Sequence, residues 1–269
     1  MLQLVWLILA GIAGGILAGM LGIGGGIIYV LILPYALGDA GITPDHLAPF
    51  TIANSIFGVL FASLSANYLN IRNHDFYLRE SLWVGIPGAV FSILILKTIV
   101  TKPWYSVTYF YAILILFLGY MIIALFFKRN PEKGNRVPER KEIRLSLAGI
   151  VGGSLAAATG LGGGAAVVPI LTTQLRMNIK KARSISLTMI FITALTLTIF
   201  NLFENPGIQN LPYQIGLIYF PAALPVTFGV LVGSPVGSKL GRIWSSQTIR
   251  ILFGIFILIV IIEKLLQLL

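Results

Sequence analysis

Gly22-Ile23-Gly24-Gly25-Gly26 lies inside a long apolar run and returns in mid-chain as Gly160-Leu161-Gly162-Gly163-Gly164. Displacing the 269-residue sequence by 138 positions also brings Gly11, Gly14, Gly15 and Leu17 onto Gly149, Gly152, Gly153 and Leu155. The same displacement brings Val30, Leu33 and Pro87 onto Val168, Leu171 and Pro225. One unit is used twice. A repeat of this length implies two like halves, as in membrane carriers, rather than a solenoid of short repeats.

Three successive glycines weaken a helix instead of lining one face of it, so each cluster reads as a break followed by a new helix N-terminus. Such an end presents unpaired N–H groups and about half a positive charge, which suits an anion that glycine lets approach the backbone. A purely structural hinge is the competing reading. The glycine ladders at Gly11, Gly15 and Gly19, and at Gly229, Gly233, Gly237 and Gly241, read as close helix packing. A dinucleotide fingerprint is excluded, because no ribose-binding acid follows and both flanks are apolar.

Around the clusters, 57% of residues are hydrophobic and 10% charged, against about 45–50% and about 25% in soluble domains. That excess of apolar surface belongs in a bilayer. Unbroken runs such as Tyr105–Phe127 lack the alternation of barrel strands. The fold class is therefore an all-α polytopic membrane protein. The first half offers apolar segments Leu2–Leu21, Gly26–Leu37, Phe50–Leu69, Ser81–Val100 and Ser106–Phe127. The second offers Leu145–Thr159, Gly164–Leu175, Ser184–Phe203, Gln214–Val236 and Gln247–Ile262. The division is thus 1–127 and 145–269, joined by a polar linker over 128–144 that carries ten charged residues. The N-terminal run is read as part of the fold rather than a leader, since its pattern returns at Leu147–Ala158.

The net charge of +10 raises nucleic acid as a partner, but the basic residues sit in the gaps between apolar runs. There they signal topology. With alternating sides, sixteen Lys and Arg fall on the linker's side and only Lys97, Lys102 and Lys264 on the other. This places the linker in the cytoplasm and both termini outside, and makes the repeats inverted. The twelve residues Gly26–Leu37 span about 18 Å of helix, against a hydrocarbon core of about 30 Å. A re-entrant hairpin or broken helix is expected there.

The chain has no Cys, and no His, Asp or Glu stands plainly mid-span. No hydrolytic or metal constellation is present, no cofactor or enzymatic activity is expected, and an intrinsic proton relay is disfavoured. Polar residues do enter the apolar segments: Thr51, Asn54, Ser55 and Asn67, then Ser184, Ser186, Thr188 and Asn201. A Ser or Thr in such a helix commonly bonds its own backbone, whereas the Asn54 amide requires a partner or water. The candidate substrate contacts are Gly22, Gly24, Gly25, Gly26, Gly160, Gly162, Gly163 and Gly164, with Asn54, Ser55, Ser184, Ser186 and Thr188 shaping a pocket. Arg183, with Lys180 and Lys181, would raise the anion concentration at the cytoplasmic mouth. Pro87 and Pro225 are expected to kink matching helices, and Pro169 to interrupt the short second-half helix.

The run Gly19-Met20-Leu21-Gly22-Ile23-Gly24-Gly25-Gly26 and its counterpart Thr159-Gly160-Leu161-Gly162-Gly163-Gly164-Ala165-Ala166-Val167-Val168-Pro169 resemble the TauE/SafE sulfite exporter family, the toluene sulfonate uptake permeases. Lys181-Ala182-Arg183-Ser184-Ile185-Ser186-Leu187 is similar to the start of that family's next helix, and the resemblance covers the whole chain. It implies a permease of the bacterial cytoplasmic membrane for sulfite, sulfonates or related sulfur anions, by export. The first half departs from the pattern, with Leu31 in the place of Pro169 and Ala48-Pro49-Phe50 where Lys181-Ala182-Arg183 stands. The expected partners are a small anion and the lipid bilayer. Another small carboxylate or inorganic anion, a non-transporting scaffold and a homo-oligomer stay open.

Overall fold

The computed structural model describes residues 2–22, 24–102, 104–126, 141–207 and 211–268. The first half holds α1 (Leu2–Leu21), α2 (Gly26–Asp39), α3 (Pro44–Arg72), α4 (Leu78–Ile95, extended by a π-helical turn Leu96–Val100) and α5 (Val107–Phe126). The second holds α6 (Lys141–Thr159), α7 (Gly164–Thr173), α8 (Ile179–Phe203), α9 (Phe220–Ile243) and α10 (Ser246–Leu268). A short hairpin, β1 (Gln214–Ile215) with β2 (Ile218–Tyr219), precedes α9. Among the described residues, seven helices, α1, α3, α4, α5, α8, α9 and α10, are long and apolar enough to cross a membrane. The linker expected at 128–144 falls outside the described residues up to position 140, and Lys141 already opens α6.

Helix starts differ from the apolar runs where polar signals act first. α3 begins six residues before Phe50, with Thr43 extended, Pro44 in the first turn and Asp45 on the positive end, all of which favour a start there. α8 begins at Ile179 because the Asn178 side chain accepts the Lys180 N–H at 2.9 Å, an N-cap. Gln214 does not start a helix. It pairs with Tyr219 across a turn containing Gly216 at φ 57°. Pro221 then falls in the first turn of α9, where a missing N–H costs nothing. Pro169 lies within α7 without ending it. The ring removes one amide donor from the helix, while the Pro169 carbonyl accepts the Thr173 hydroxyl at 2.7 Å.

α2 and α7 each fold back along the helix before them. Gln3, at the start of α1, reaches Asp39, at the end of α2, at 3.3 Å, and Gly14 faces the ring of Tyr29. In the same way Arg144 donates to the Gln174 carbonyl at 3.4 Å, and Gly152 faces Val167. The two hairpins keep the 138-residue offset, with Gly14 matching Gly152 and Tyr29 matching Val167. The fourteen residues of α2 make about 21 Å, short of a bilayer, so the hairpin is the form that length allows.

The halves are interlocked. A methyl group on Gly11, Gly15 or Gly19 of α1 would run into the Val226, Val230 or Ser234 carbonyl of α9. One on Gly229, Gly233 or Gly237 would run into Ile8, Ile12 or Ile16. The two glycine ladders therefore face each other, and α1 and α9 run in the same direction at backbone contact. α6 and α4 repeat this arrangement, with Gly149 against the Val84 carbonyl and Gly153 against that of Gly88. The first helix of each half thus packs on the fourth helix of the other.

Val84 and Val226, and Gly88 and Val230, are 142 apart, so the counterpart of Pro87 is Gly229 and not Pro225. Both prolines sit inside helices, but at different heights. At the centre lie α3 and α8. Every residue from Ala48 to Leu60 is buried, as is every residue from Ser184 to Ile190, the pattern of helices enclosed on all sides. They run in opposite directions, with Asn67 bonded to the Leu187 carbonyl at 3.0 Å near one end and Asn54 and Asn201 flanking Leu217 near the other.

Candidate functional site

Each break is built from glycines that the backbone requires. Gly22, Gly24 and Gly25 have φ of 72°, 91° and 68°, and Gly160, Gly162 and Gly163 have 72°, 81° and 73°. Other residues lose about 1–2 kcal/mol per position in this left-handed region. Gly25 and Gly163 are the residues immediately before α2 and α7. A methyl on Gly25 would strike the Gly14 carbonyl, and one on Gly163 the Gly152 carbonyl, so these two also set how closely each hairpin closes.

The two breaks meet. A methyl on Gly26 would stand 2.7 Å from the Gly160 oxygen, and one on Gly24 would stand 3.4 Å from the Leu161 oxygen. Gly24 and Gly162 both face Val59 of α3 and Ile190 of α8. Val59 and Ile190 are 131 apart, as are Ser55 and Ser186, which fixes the register of the central helices. All the described glycines of the breaks are buried. The N–H groups of Gly24, Gly25, Gly26, Gly162, Gly163, Gly164 and Ala165 donate to no carbonyl among the described residues. Buried backbone donors are almost always satisfied. Two helix N-termini, each with about half a positive charge, are thus aimed into one buried place.

Ser55 holds this arrangement, donating to the Gly160 oxygen at 2.8 Å, with the Gly26 oxygen at 3.5 Å. Ser186 stands 3.5 Å from the Gly164 oxygen in the matching position. Of the residues expected from sequence, the eight glycines, Ser55 and Ser186 come together. Asn54 does not face the breaks. Its amide donates to Phe50 at 2.8 Å and to Leu217 at 3.1 Å and accepts from Tyr219 at 3.0 Å, tying the β-hairpin to α3. Ser184 donates to the Asp75 carbonyl between α3 and α4. Thr188 donates to Asn67 at 2.7 Å and closes the α3–α8 crossing.

The basic residues also sort differently. Arg183 donates to the Gly19 and Met20 carbonyls at 3.1 and 2.6 Å, capping the last turn of α1. A cation complements the negative end of a helix. Its Nε stands 3.2 Å from where a Gly22 side chain would begin. Lys181 pairs with Glu80 at 2.7 Å, which Lys141 also reaches at 3.2 Å, and lies over the Tyr77 ring. Lys180 alone of the three stays exposed. The counterpart of Arg183 at the 131 offset is Ile52, so the second break has no matching guanidinium from α3. The cap was invisible in the sequence because it joins positions 164 and 163 apart.

Membrane-length helices enclosing two buried, facing helix breaks define a transporter with discontinuous helices. Comparison with known proteins agrees: residues 7–263 match the family described as sulfite exporter TauE/SafE. The chain belongs to that family. It is 28% identical over 262 residues to a probable membrane transporter protein of Methanocaldococcus jannaschii, covering 94% of this chain and 92% of that one. It is 26% identical over 271 residues to a probable membrane transporter protein of Haemophilus influenzae, with 97% of each covered. A 130-residue stretch is 28% identical to the probable membrane transporter protein YunE of Bacillus subtilis, covering 46% of this chain and 44% of that one.

Proposed function

We propose that this membrane transporter is a permease for a small sulfur-containing anion, sulfite or an organosulfonate, and exports it across the cytoplasmic membrane. The observation that carries the reading is the pair of buried breaks, whose seven N–H donors have no carbonyl partner among the described residues. An anion's oxygens satisfy such donors and sit well on two converging positive helix ends. The family's description as sulfite exporters puts sulfur oxyanions first. The two halves act as inverted repeats, and the anion passes by alternating access as the interlocked halves rock about the breaks. Both termini lie outside, on the basic-residue count read by the positive-inside rule. Ser55 and Ser186 hold the breaks in place, and the polar contacts of Ser184, Thr188 and Lys181 close the cytoplasmic end.

Flux of radiolabelled sulfite and of an aromatic sulfonate into proteoliposomes tests this. Uptake above empty vesicles, competed by the other sulfur anion and weakly by acetate or chloride, is the expected result. Equal competition by acetate would move the substrate class to small carboxylates, and no flux of any anion would end the reading.

A further inference from the structure

One buried hydroxyl beside the breaks is left without a bond. Thr188, Thr193, Thr196 and Thr227 each donate to the carbonyl four residues earlier in their own helix, the usual habit of threonine in an apolar helix. Thr51 of α3 does not, although Leu47 stands four residues before it. It is fully buried, and its Oγ1 has no partner among the described residues.

The neighbours of Thr51 lie against the second break. The Ile52 Cα stands 3.2 Å, and the Ser55 Cβ 3.4 Å, from where a Gly160 side chain would begin. Ser55 itself is committed, donating to the Gly160 oxygen at 2.8 Å. Residues four apart on a helix share a face, so Thr51 sits one turn from Ser55 and about 40° around the axis from it. On its other side, about 60° away, Asn54 is committed to the β-hairpin. Thr51 is thus the hydroxyl on this strip of α3 that nothing in the described chain uses.

The first break has no equivalent. At the 131 offset Ala182 stands for Thr51, and Arg183 stands for Ile52. That guanidinium lies over Gly22 but already caps α1 through the Gly19 and Met20 carbonyls. One break is therefore flanked by a charge, and the other by a free hydroxyl.

We propose that Thr51 Oγ1 donates a hydrogen bond to an oxygen of the anion held at the second break. Buried side-chain hydroxyls are bonded in nearly all folded proteins, so this one points to an acceptor from outside the chain. The adjoining N–H groups of Gly162, Gly163, Gly164 and Ala165 lack carbonyl partners among the described residues. All of these groups are donors at a positive helix end, which suits one shared anion and repels a cation. The role of Thr51 rests on the proposed anion transport, and it makes α3 a direct contact of the substrate.

Thermal melts without anion and equilibrium dialysis with radiolabelled sulfite, on wild type, Thr51→Val and Thr51→Ser, test the contact. Without anion Thr51→Val melts no lower than wild type, because the hydroxyl it removes is buried and unbonded. Its affinity for sulfite falls at least tenfold, while Thr51→Ser stays within about threefold of wild type. Wild-type affinity in the Thr51→Val protein overturns the proposal, leaves the anion reading standing and makes water the hydroxyl's partner. A Thr51→Val protein that does not fold, or that melts lower without anion, shows the hydroxyl bonded within the chain and overturns the proposal as well. If wild type binds neither sulfite nor an aromatic sulfonate, the anion reading itself fails, and the Thr51 contact with it.

Discussion

At the residue scale, the glycines of one break do different jobs. Gly25 and Gly163 touch a backbone carbonyl of the preceding helix, so Ala at either opens the hairpin as well as straining a positive φ. We expect Gly25→Ala and Gly163→Ala to fall in melting temperature by about 6 °C or more, from about 2–3 kcal/mol of strain and clash. Gly24 is the cleaner probe. A methyl there meets side-chain carbons of Val59 and Ile190 at 3.3 and 3.6 Å and projects between the breaks. Gly119 is the fitting control, since nothing lies within 4 Å of a methyl at that helical position. Gly119→Ala should be neutral or raise stability by about 0.5–1 kcal/mol. Gly233, on the packing ladder, is no control, because its methyl would strike the Ile12 carbonyl. Arg183 holds the last carbonyls of α1. Arg183→Leu should lose about 1–3 kcal/mol by leaving them unpaired. A thermal melt reads both changes.

Among the elements, the breaks and the glycine ladders were legible because glycine runs have few physical meanings. Three in succession break a helix, and three at fourth positions line one. The hairpins were legible from length alone. Hidden were the features that depend on which helix stands opposite. The polar side chains of α3 and α8 read alike in sequence, yet Asn54 ties down a β-hairpin, Thr188 closes a crossing and Ser55 braces both breaks. The β1–β2 hairpin was missed because Gln214–Tyr219 continues an apolar run, with Gly216 the only sign of a turn. Ser55→Ala removes the bond to the Gly160 oxygen. It should lower stability by about 1 kcal/mol, and transport more than that loss explains. Flux per folded molecule, set against the melting temperature, separates the two effects.

In the whole molecule, the first helix of each half is held by the fourth of the other, so neither half packs its glycine ladder alone. Composition gave no hint of this exchange. The 138-residue offset fits the hairpins; it falls to 131 at the central helices because α2 and the start of α3 are longer than α7 and the start of α8. It rises to 142 at the α4–α9 pair because the connection from α8 to α9, which holds the β-hairpin, is longer than that from α3 to α4. The proposed topology rests on the basic-residue count. Gly38→Cys, at an exposed position with open space around it, and Asn73→Cys, between α3 and α4, should label from opposite faces of the membrane with an impermeant thiol reagent. Labelling from one face would contradict the proposed orientation of the halves. The most direct test of the central claim, that the breaks bind the anion through backbone N–H groups, is the affinity of Gly24→Ala for the best-transported anion beside Gly119→Ala and wild type. The account predicts at least a tenfold loss in Gly24→Ala, about 1.4 kcal/mol, with a stability loss no larger than the strain of about 1–2 kcal/mol at its positive φ, and no loss in Gly119→Ala. Wild-type affinity in a folded Gly24→Ala protein would contradict it.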